Sequence, residues 1–373
     1  MKSRIQFLRL LIIFYVFSPF LFEKSFDINA DENLEIIPHK VLKEGNFLIG
    51  LEQYIGRSNS NSLAVQNITF KTNDDPVILR SSNGIQHKSK RIKIIWKKVP
   101  IKNPYIVERL VAGPFASFES AQKKSENLKK QGYKSVVANP NDWEVWLPAG
   151  TRLSNKKNLK LFKKVFKYEV TPFLVNEYFQ RKLDGPISLS SIENIKINDK
   201  NYGKTFYIVK DAYGTWTLIQ KIKFDNYLNG VLPHEIGIKS PIEALKAQAV
   251  IARTWAIYNS DRFNIDKYHL CISTQCQVYK PPKGQYKNVQ KAIKETSDLV
   301  ITYQNKPINS FYHASNGGIS AGSSEAWKIQ DYSYFKPMID GLFSIRNSFT
   351  LPIKERFELT KFLDNANDKI YGN

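Results

Sequence analysis

The chain has 373 residues and carries 55 Lys and Arg against 34 Asp and Glu, a net charge of +21. That length holds two domains with a substantial core, and two cysteines exclude a disulfide-stapled miniprotein. The charge attracts polyanions, although a composition rich in Lys, Asn and Ile produces such an excess too; the basic residues are scattered and show no arginine-rich helix or Gly-flanked aromatic motif, so no nucleic-acid partner is expected.

The first stretch reads as an export signal. Lys2, Arg4 and Arg9 precede an apolar run from Leu10 to Phe22, broken by Ser18 and Pro19. The run falls short of the roughly 20 apolar residues of a membrane-spanning helix, so a signal-peptide core over 1–30 fits better. Ala30 is the candidate cleavage position, and an uncleaved signal anchor stays open. The expected location is extracytoplasmic, in the cell envelope or periplasm. Any membrane contact is expected through this segment alone, with tethering to the inner membrane if the anchor is retained.

A strand-rich region follows over 31–104. Phe47 to Leu51 and Leu63 to Phe70 alternate in short apolar stretches between Gly, Ser and Asn turns, and Lys88 to Lys98 is a basic strand-like run around Ile92, Ile94, Ile95 and Trp96. Over 105–150 the pattern becomes β-α-β-β. Ile106 to Val111 reads as a strand, Gly113-Pro114 as a turn, and Ser117 as the N-cap of a helix through Lys130 that Gly132 ends. Tyr133 to Ala138 and Trp143 to Leu147 supply the last two strands. Residues 151–172 read as a basic connector containing Lys156, Lys157, Lys160, Lys163, Lys164 and Lys167. Residues 173–345 read as one domain, with strands at Phe206–Val209, Trp216–Leu218, Val300–Tyr303 and Ser310–Tyr312 and at least two helices. A polar tail, 346–373, has a short helix between Ile353 and Asn365.

The chemistry concentrates between Phe224 and Trp327. Ser240-Pro241-Ile242-Glu243 has the form of a capping box with Pro at the first helical position. In the helix that follows, Leu245, Ala249, Ala252 and Ala256 form one stripe of mostly small residues, while Gln248 and Arg253 lie on other faces. Before it, Leu232-Pro233-His234-Glu235-Ile236-Gly237 puts a carboxylate in a turn among apolar neighbours. Desolvation there would disfavour the ionised form and suit a general acid, although an ordinary exposed turn Glu is the simpler reading of those residues alone. A second segment, Tyr268 to Tyr279, holds His269, Cys271, Cys276 and Gln277. A third, Ser310 to Gly318 and on to Trp327, offers hydroxyls, amides and backbone donors that suit sugar hydroxyls, or else is a plain polar turn.

Taken together, these segments closely resemble the catalytic region of the stage II sporulation protein D (SpoIID/LytB) family. Val231-Leu232-Pro233 with Glu235, Glu243 through Ala256, Thr274 through Tyr279, Tyr312 through Gly318, and Ser324-Glu325-Ala326-Trp327 carry the resemblance, over about 140 residues from 205 to 345. One spacing departs from the family pattern, with one residue between Glu325 and Trp327 where two are usual. Upstream, Gly113-Pro114-Phe115, Ala121, Leu128, Gly132-Tyr133 and Trp143-Glu144-Val145-Trp146 resemble a sporulation-related repeat (SPOR) domain, which implies a wall-binding accessory. The implied fold is α+β, a mixed-sheet catalytic domain preceded by a small β-α-β-β SPOR-like unit.

The resemblance implies a lytic transglycosylase acting on peptidoglycan glycan strands stripped of their stem peptides, with Glu235 catalytic. It implies substrate contacts at Arg253, Gln277, Tyr279, Tyr312, His313, Ser315, Asn316, Gly317 and Glu325. Glu235 would protonate the oxygen between N-acetylmuramic acid and N-acetylglucosamine, then take the proton of the muramic C6 hydroxyl as it attacks the anomeric carbon. The product is a 1,6-anhydro sugar. Hydrolysis needs a paired carboxylate, which Asp225, Glu243 or Glu325 could supply, with Glu243 expected instead at its helix cap. Arg253 is the candidate contact for the lactyl carboxylates of a stripped strand, or else a helix-face salt bridge. No cofactor is required. Some family members hold zinc nearby through Cys and His, so His269, Cys271 and Cys276, with His313 or His234 as a fourth, could bind a structural zinc. A Cys271–Cys276 disulfide, which an oxidising envelope favours, and free thiols are the alternatives. The family also includes enhancers of wall amidases, so a non-catalytic glycan binder partnered with a cell-wall amidase is the rival function, and a basic scaffold tethering a wall complex is a third.

Overall fold

The computed structural model describes residues 46–57, 66–152, 158–327, 332, 334–340 and 351–364. The expected export signal lies outside the described residues, as do Lys156 and Lys157 of the basic stretch. Among the described residues no helix is long and apolar enough to cross a membrane.

In chain order the strands are β1 (Asn46–Ile55), β2 (Asn67–Lys71), β3 (Val77–Ser81), β4 (Gln86–Ser89), β5 (Arg91–Phe115), β6 (Val136–Ala138), β7 (Trp143–Pro148), β8 (Leu159–Val175), β9 (Gln180–Lys182), β10 (Ile187–Ser190), β11 (Lys196–Ile197), β12 (Lys200–Asn201), β13 (Thr205–Lys210), β14 (Trp216–Lys223) and β15 (Leu270–Cys271). Among them stand the helices α1 (Phe118–Lys130), α2 (Phe224–Glu235), α3 (Ile242–Tyr258) and α4 (Lys287–Glu295). The fold is α+β with mixed sheets. A seven-stranded sheet has the order β15-β1-β14-β13-β10-β3-β4, in which β1 and β15 run parallel. An eight-stranded sheet has the order β12-β11-β2-β5-β7-β6, with β8 pairing β5 and β9 pairing β8.

The run Phe47-Leu48-Ile49 is apolar at successive positions, and period-2 alternation sends those side chains to opposite faces. A strand of that kind must be covered on both sides. Phe47 and Ile49 enter a core built from both sheets and from α2, α3 and α4, in which Phe70 meets Phe206 at 6.2 Å. Leu48, with Ile219 and Val209, enters a second core that contains Phe118, Ala121 and Leu128 of α1 and Trp143, Val145 and Leu147 of β7. The region 105–150 is thus packed onto the back of the seven-stranded sheet through a shared hydrophobic core.

α1 forms as its sequence dictates. Ser117 accepts from the Ser120 amide at 3.2 Å, the buried stripe is Phe118, Ala121, Ser125 and Leu128, and the chain turns out through Gly132 at φ +84°. The helix over Arg356–Asp364 also lies where the polar tail suggests one.

Other expectations need correcting. Gly113-Pro114 is not a turn but an irregularity inside β5, where the register with β7 shifts between Ala112 and Phe115. Gly113 has φ +134°, and an added Cβ would sit 3.1 Å from the Trp143 carbonyl oxygen, so glycine is required there. Residues 159–172 are not a connector. They belong to β8, which pairs with β5 from Lys93↔Val175 to Ala112↔Leu159, with one register shift between Pro100 and Tyr105. Lys160, Lys163, Lys164 and Lys167 are exposed on this ribbon, and the boundaries expected at 104 and 172 fall inside β5 and β8. The capping box does not form. Pro241 precedes the first residue of α3 without a side-chain cap, the Ser240 hydroxyl donates to the Ile236 carbonyl at 2.7 Å, and Glu243 pairs with Lys246 at 2.9 Å. Ser310–Tyr312 is irregular rather than a strand, because Ser310 donates to the Ile251 carbonyl at 2.9 Å and Asn259 donates to Asn309 at 3.0 Å. These bonds tie the segment to α3.

Candidate functional site

Glu235 is the last residue of α2, not a turn residue. Ile236 and Gly237, the latter at φ +87°, end the helix immediately after it. Pro233 removes one amide from the final turn without breaking the helix. Tyr227, Leu228, Val231 and Leu232 bury one face of α2 in the core, which fixes the direction in which Glu235 leaves the helix. The carboxylate is half-buried.

Two donors hold it. The Val278 amide donates to Oε1 at 2.7 Å, and the Tyr312 hydroxyl is hydrogen bonded to both Glu235 and Gln277. A phenol has one proton to give, so Tyr312 donates to the carboxylate and accepts from the Gln277 amide. The Gln277 carbonyl in turn accepts from the Tyr227 hydroxyl at 2.9 Å, and its nitrogen also reaches the Ala252 carbonyl at 3.3 Å. Burial, then the nearby Glu235 charge, pushes the Tyr312 hydroxyl well above the ordinary phenol range, and burial does the same to Tyr227. Both phenols are therefore protonated donors at any physiological pH.

The remaining expected residues divide. Tyr279 is buried, stacks on Tyr227 at 5.7 Å and donates to Gln220 at 3.3 Å. Its ring lies where a Cβ on Gly230 would be, so a glycine in α2 admits it. It supports α2 from within the core. Arg253 is corrected more sharply. Only 4% exposed, it donates to the carbonyls of Thr296 (2.8 Å), Leu299 (3.1 Å) and Ile293 (3.4 Å), at and beyond the C-terminal end of α4. Its charge is committed to that helix end, neither to a ligand nor to a surface salt bridge.

His313 and Ser315 are exposed on the loop after Tyr312, and Gly317 has φ +65°. Asn316 shapes this loop by donating to Asp340 at 2.9 Å and accepting from the Gly318 amide at 2.8 Å. Glu325 accepts from the Gly322 amide at 2.7 Å. Asp225 lies at the opposite end of α2, ten residues from Glu235, which a helix spreads over about 15 Å. That exceeds the separation of a glycosidase carboxylate pair. Glu243, exposed beside Lys246, belongs to a different helix end.

Glu235 and Tyr312 open onto a cleft of about 410 Å³. Thr274 to Cys276 and Val278 line it next to Glu235, Trp255 and Phe311 line it from α3 and the Asn309–Tyr312 segment, and Ala116 to Glu119 with Trp143 line it from the β-α-β-β region. A more open depression of about 570 Å³ follows Glu235 along Ile236 to Ser240. Arg262 joins the lining segments of the cleft. Its guanidinium is 2.5 Å from Glu119, 2.8 Å from the Asn259 carbonyl-amide oxygen and 3.3 Å from the Gln275 carbonyl, and it lies over the Phe118 (4.5 Å), Trp255 (5.1 Å) and Trp143 (5.8 Å) rings. The sequence reading missed Arg262, Glu119, Phe118 and Trp143. Arg262 sits in no motif, and Phe118, Glu119 and Trp143 lie more than a hundred residues upstream of it.

Cys271 and Cys276 form a disulfide with a Cα separation of 5.8 Å. The bridge closes the loop that leads directly into Gln277 and Val278. His269 accepts the Leu48 amide on Nδ1 at 3.0 Å and stacks on Phe47 at 4.7 Å. Among the described residues no group of three or more His, Cys, Asp or Glu is arranged to hold a metal ion. With both thiols in a disulfide, the donor set expected for zinc does not fit one.

A family model described as SpoIID, stage II sporulation protein, matches residues 212–303. Those residues form a SpoIID domain. The match includes Glu235, Arg253, Arg262, the disulfide, Gln277 and Tyr279, and stops short of Tyr312, so it is narrower than the 205–345 span of the motif resemblance. An uncharacterized protein of Brachyspira hyodysenteriae is 33% identical over 123 residues, covering 31% of this chain and 32% of that protein. The amidase enhancer of Bacillus subtilis is 37% identical over 103 residues, covering 27% of this chain and 13% of the enhancer. Stage II sporulation protein D of Bacillus amyloliquefaciens is 30% identical over 125 residues, covering 29% of this chain and 36% of that protein. The chain thus spans about a third or less of the length of these relatives.

Proposed function

We propose that the protein is an envelope-located peptidoglycan lytic transglycosylase that cleaves the bond between N-acetylmuramic acid and N-acetylglucosamine in strands lacking stem peptides. The observation that carries this reading is one carboxyl group, Glu235, set at a helix end, held by an amide and a phenol, and facing a cleft of a size that ligand sites commonly have. Protonated Glu235 gives its proton to the glycosidic oxygen as the bond from that oxygen to the muramic anomeric carbon breaks. The carboxylate so formed accepts the Tyr312 hydroxyl and takes the proton of the muramic C6 hydroxyl, whose oxygen closes on the anomeric carbon. Glu235 ends protonated, no water is consumed, and no second acid is needed. The exposed His313 and Ser315 are the candidates for sugar hydroxyls, and the SPOR resemblance of 105–150 fits the same substrate.

A second reading has an observation of its own, since a relative named amidase enhancer is 37% identical over 103 residues. In that reading the cleft grips a strand without cutting it and presents it to a cell-wall amidase. Mass spectrometry of stripped and peptide-bearing strands, incubated with the native protein and with Glu235→Gln, separates the two. Anhydro-muramic ends from stripped strands with native protein alone are expected. Reducing ends would mean hydrolysis, and intact strands that nevertheless bind would favour the enhancer.

A further inference from the structure

We infer that the segment Ala116–Glu119 of the β-α-β-β region is a sugar subsite of the Glu235 cleft, held in place by Arg262 as a positioning residue. The inference rests on the glycan-strand reading above and adds a residue-level subsite to it. An accessory module that grips the wall on its own would be joined by a linker and would keep its sheet face free. Here the chain enters the region along β5, which is continuous with the eight-stranded sheet, and both sheet faces are covered. One face lies under α1, with Phe118 against Trp143 at 5.1 Å. On the other, Trp146 is fully buried, with Tyr213 at 5.7 Å and the Arg109 guanidinium 3.3 Å above its ring. What the region leaves open to solvent near the chemistry is the turn entering α1, and that turn lines the same cleft as Glu235 and Tyr312.

The surroundings suit a sugar more than an ion. Glu119 is 12% exposed and its charge is balanced by Arg262, itself 5% exposed. The rings of Phe118, Trp143 and Trp255 surround that pair, and Ala116 and Ser117 present a small, polar-edged surface. An aromatic-lined cleft with a few fixed polar groups is the usual form of a site for an uncharged polar ligand. The N-acetylhexosamine next to the scissile bond is a ligand of that class. Arg262 fixes the geometry, because one guanidinium ties Glu119 to the Gln275 carbonyl, two residues from Gln277 and three from the amide that holds Glu235. A change in the ion pair is therefore felt on both lining segments.

The test reads strand binding in a Glu235→Gln background, by titrating a labelled peptide-free glycan strand. Ala116 is exposed, so Ala116→Trp fills the cleft without disturbing a core. It is expected to weaken binding by about tenfold or more at an unchanged melting temperature. Lys124→Trp, on the exposed face of α1, is expected to bind as the parent does. In the otherwise native protein, Glu119→Gln is expected to raise KM while leaving kcat within about twofold, the pattern of lost ground-state and transition-state binding alike. Parent-like binding by Ala116→Trp overturns the subsite and leaves the glycan reading standing. Failure of the parent itself to bind any strand overturns that reading and the subsite with it.

Discussion

The hydrogen bonding at Glu235 hangs on single atoms. Tyr227, Gln277 and Tyr312 form a directed chain, each hydroxyl or amide pointing its donor at the next acceptor, and it ends on the carboxylate. Removing the last hydroxyl while keeping the ring isolates its contribution. Tyr312→Phe is expected to lower kcat by about 10- to 100-fold, the range for one hydrogen bond to a charged group. KM and melting temperature should hardly change, because the phenyl ring remains. Release of anhydro-muramic ends, followed at saturating substrate, measures it; a native rate would remove Tyr312 from the machinery.

Two elements owe their placement to a few specific contacts. The C-terminal end of α4 is capped by Thr296, whose hydroxyl donates to the Ala292 carbonyl at 2.8 Å, and by Arg253, whose guanidinium donates to three carbonyls. Arg253→Met removes three donated hydrogen bonds, so chemical denaturation should show a loss of about 3 kcal/mol, whereas KM for stripped strands in protein that remains folded should be close to native. A large rise in KM with stability unchanged would return Arg253 to the substrate. The loop before Gln277 owes its shape to the disulfide. Cysteines five positions apart close a small loop, which on chain entropy stabilises the fold by about 2 kcal/mol. Reduction by a dithiol should cost about that much and lower activity through Val278, and added zinc should not restore it.

At the scale of the whole molecule, the β-α-β-β region and the SpoIID domain are sealed together by buried acids. The Tyr213 hydroxyl accepts the Asn139 amide at 2.9 Å and donates to Asp266 at 2.7 Å, while Asp211 accepts from Thr215 and Tyr213. Burial, then the Asp211 charge, raises the Asp266 carboxyl from 3.8 to about 7. Its proton is bound more tightly in the folded than in the unfolded chain. This group therefore adds stability at low pH and loses it as pH rises from about 4 to about 7, a change on the order of 4 kcal/mol. Urea titrations of the native protein and Asp266→Asn across that window should diverge, with the native protein losing stability relative to the variant as pH rises. Parallel curves would mean that the junction does not titrate.

The boundaries of α1, the buried stripe of α3 and the candidacy of Glu235 were all legible in the chain, because caps, helical periodicity and a dense local motif are properties of neighbouring residues. The α+β class was implied by the family resemblance that those local motifs carry. Other features depended on what lies across a contact. The Lys-rich stretch after residue 158 resembles a linker by composition and becomes a strand because β5 offers it a long edge. Arg253 looks available on a helical wheel and is buried because α4 ends beneath it. Glu119 and Arg262 are 143 residues apart, each unremarkable alone, and only the packing of α1 onto the back of the sheet brings them together. The sequence by itself determines the helices, the cap of α1 and the chemical groups the elements carry. Which of those groups share a cleft is decided by burial, since the pairing of distant faces is what removes apolar surface from water and brings the remaining polar groups into contact.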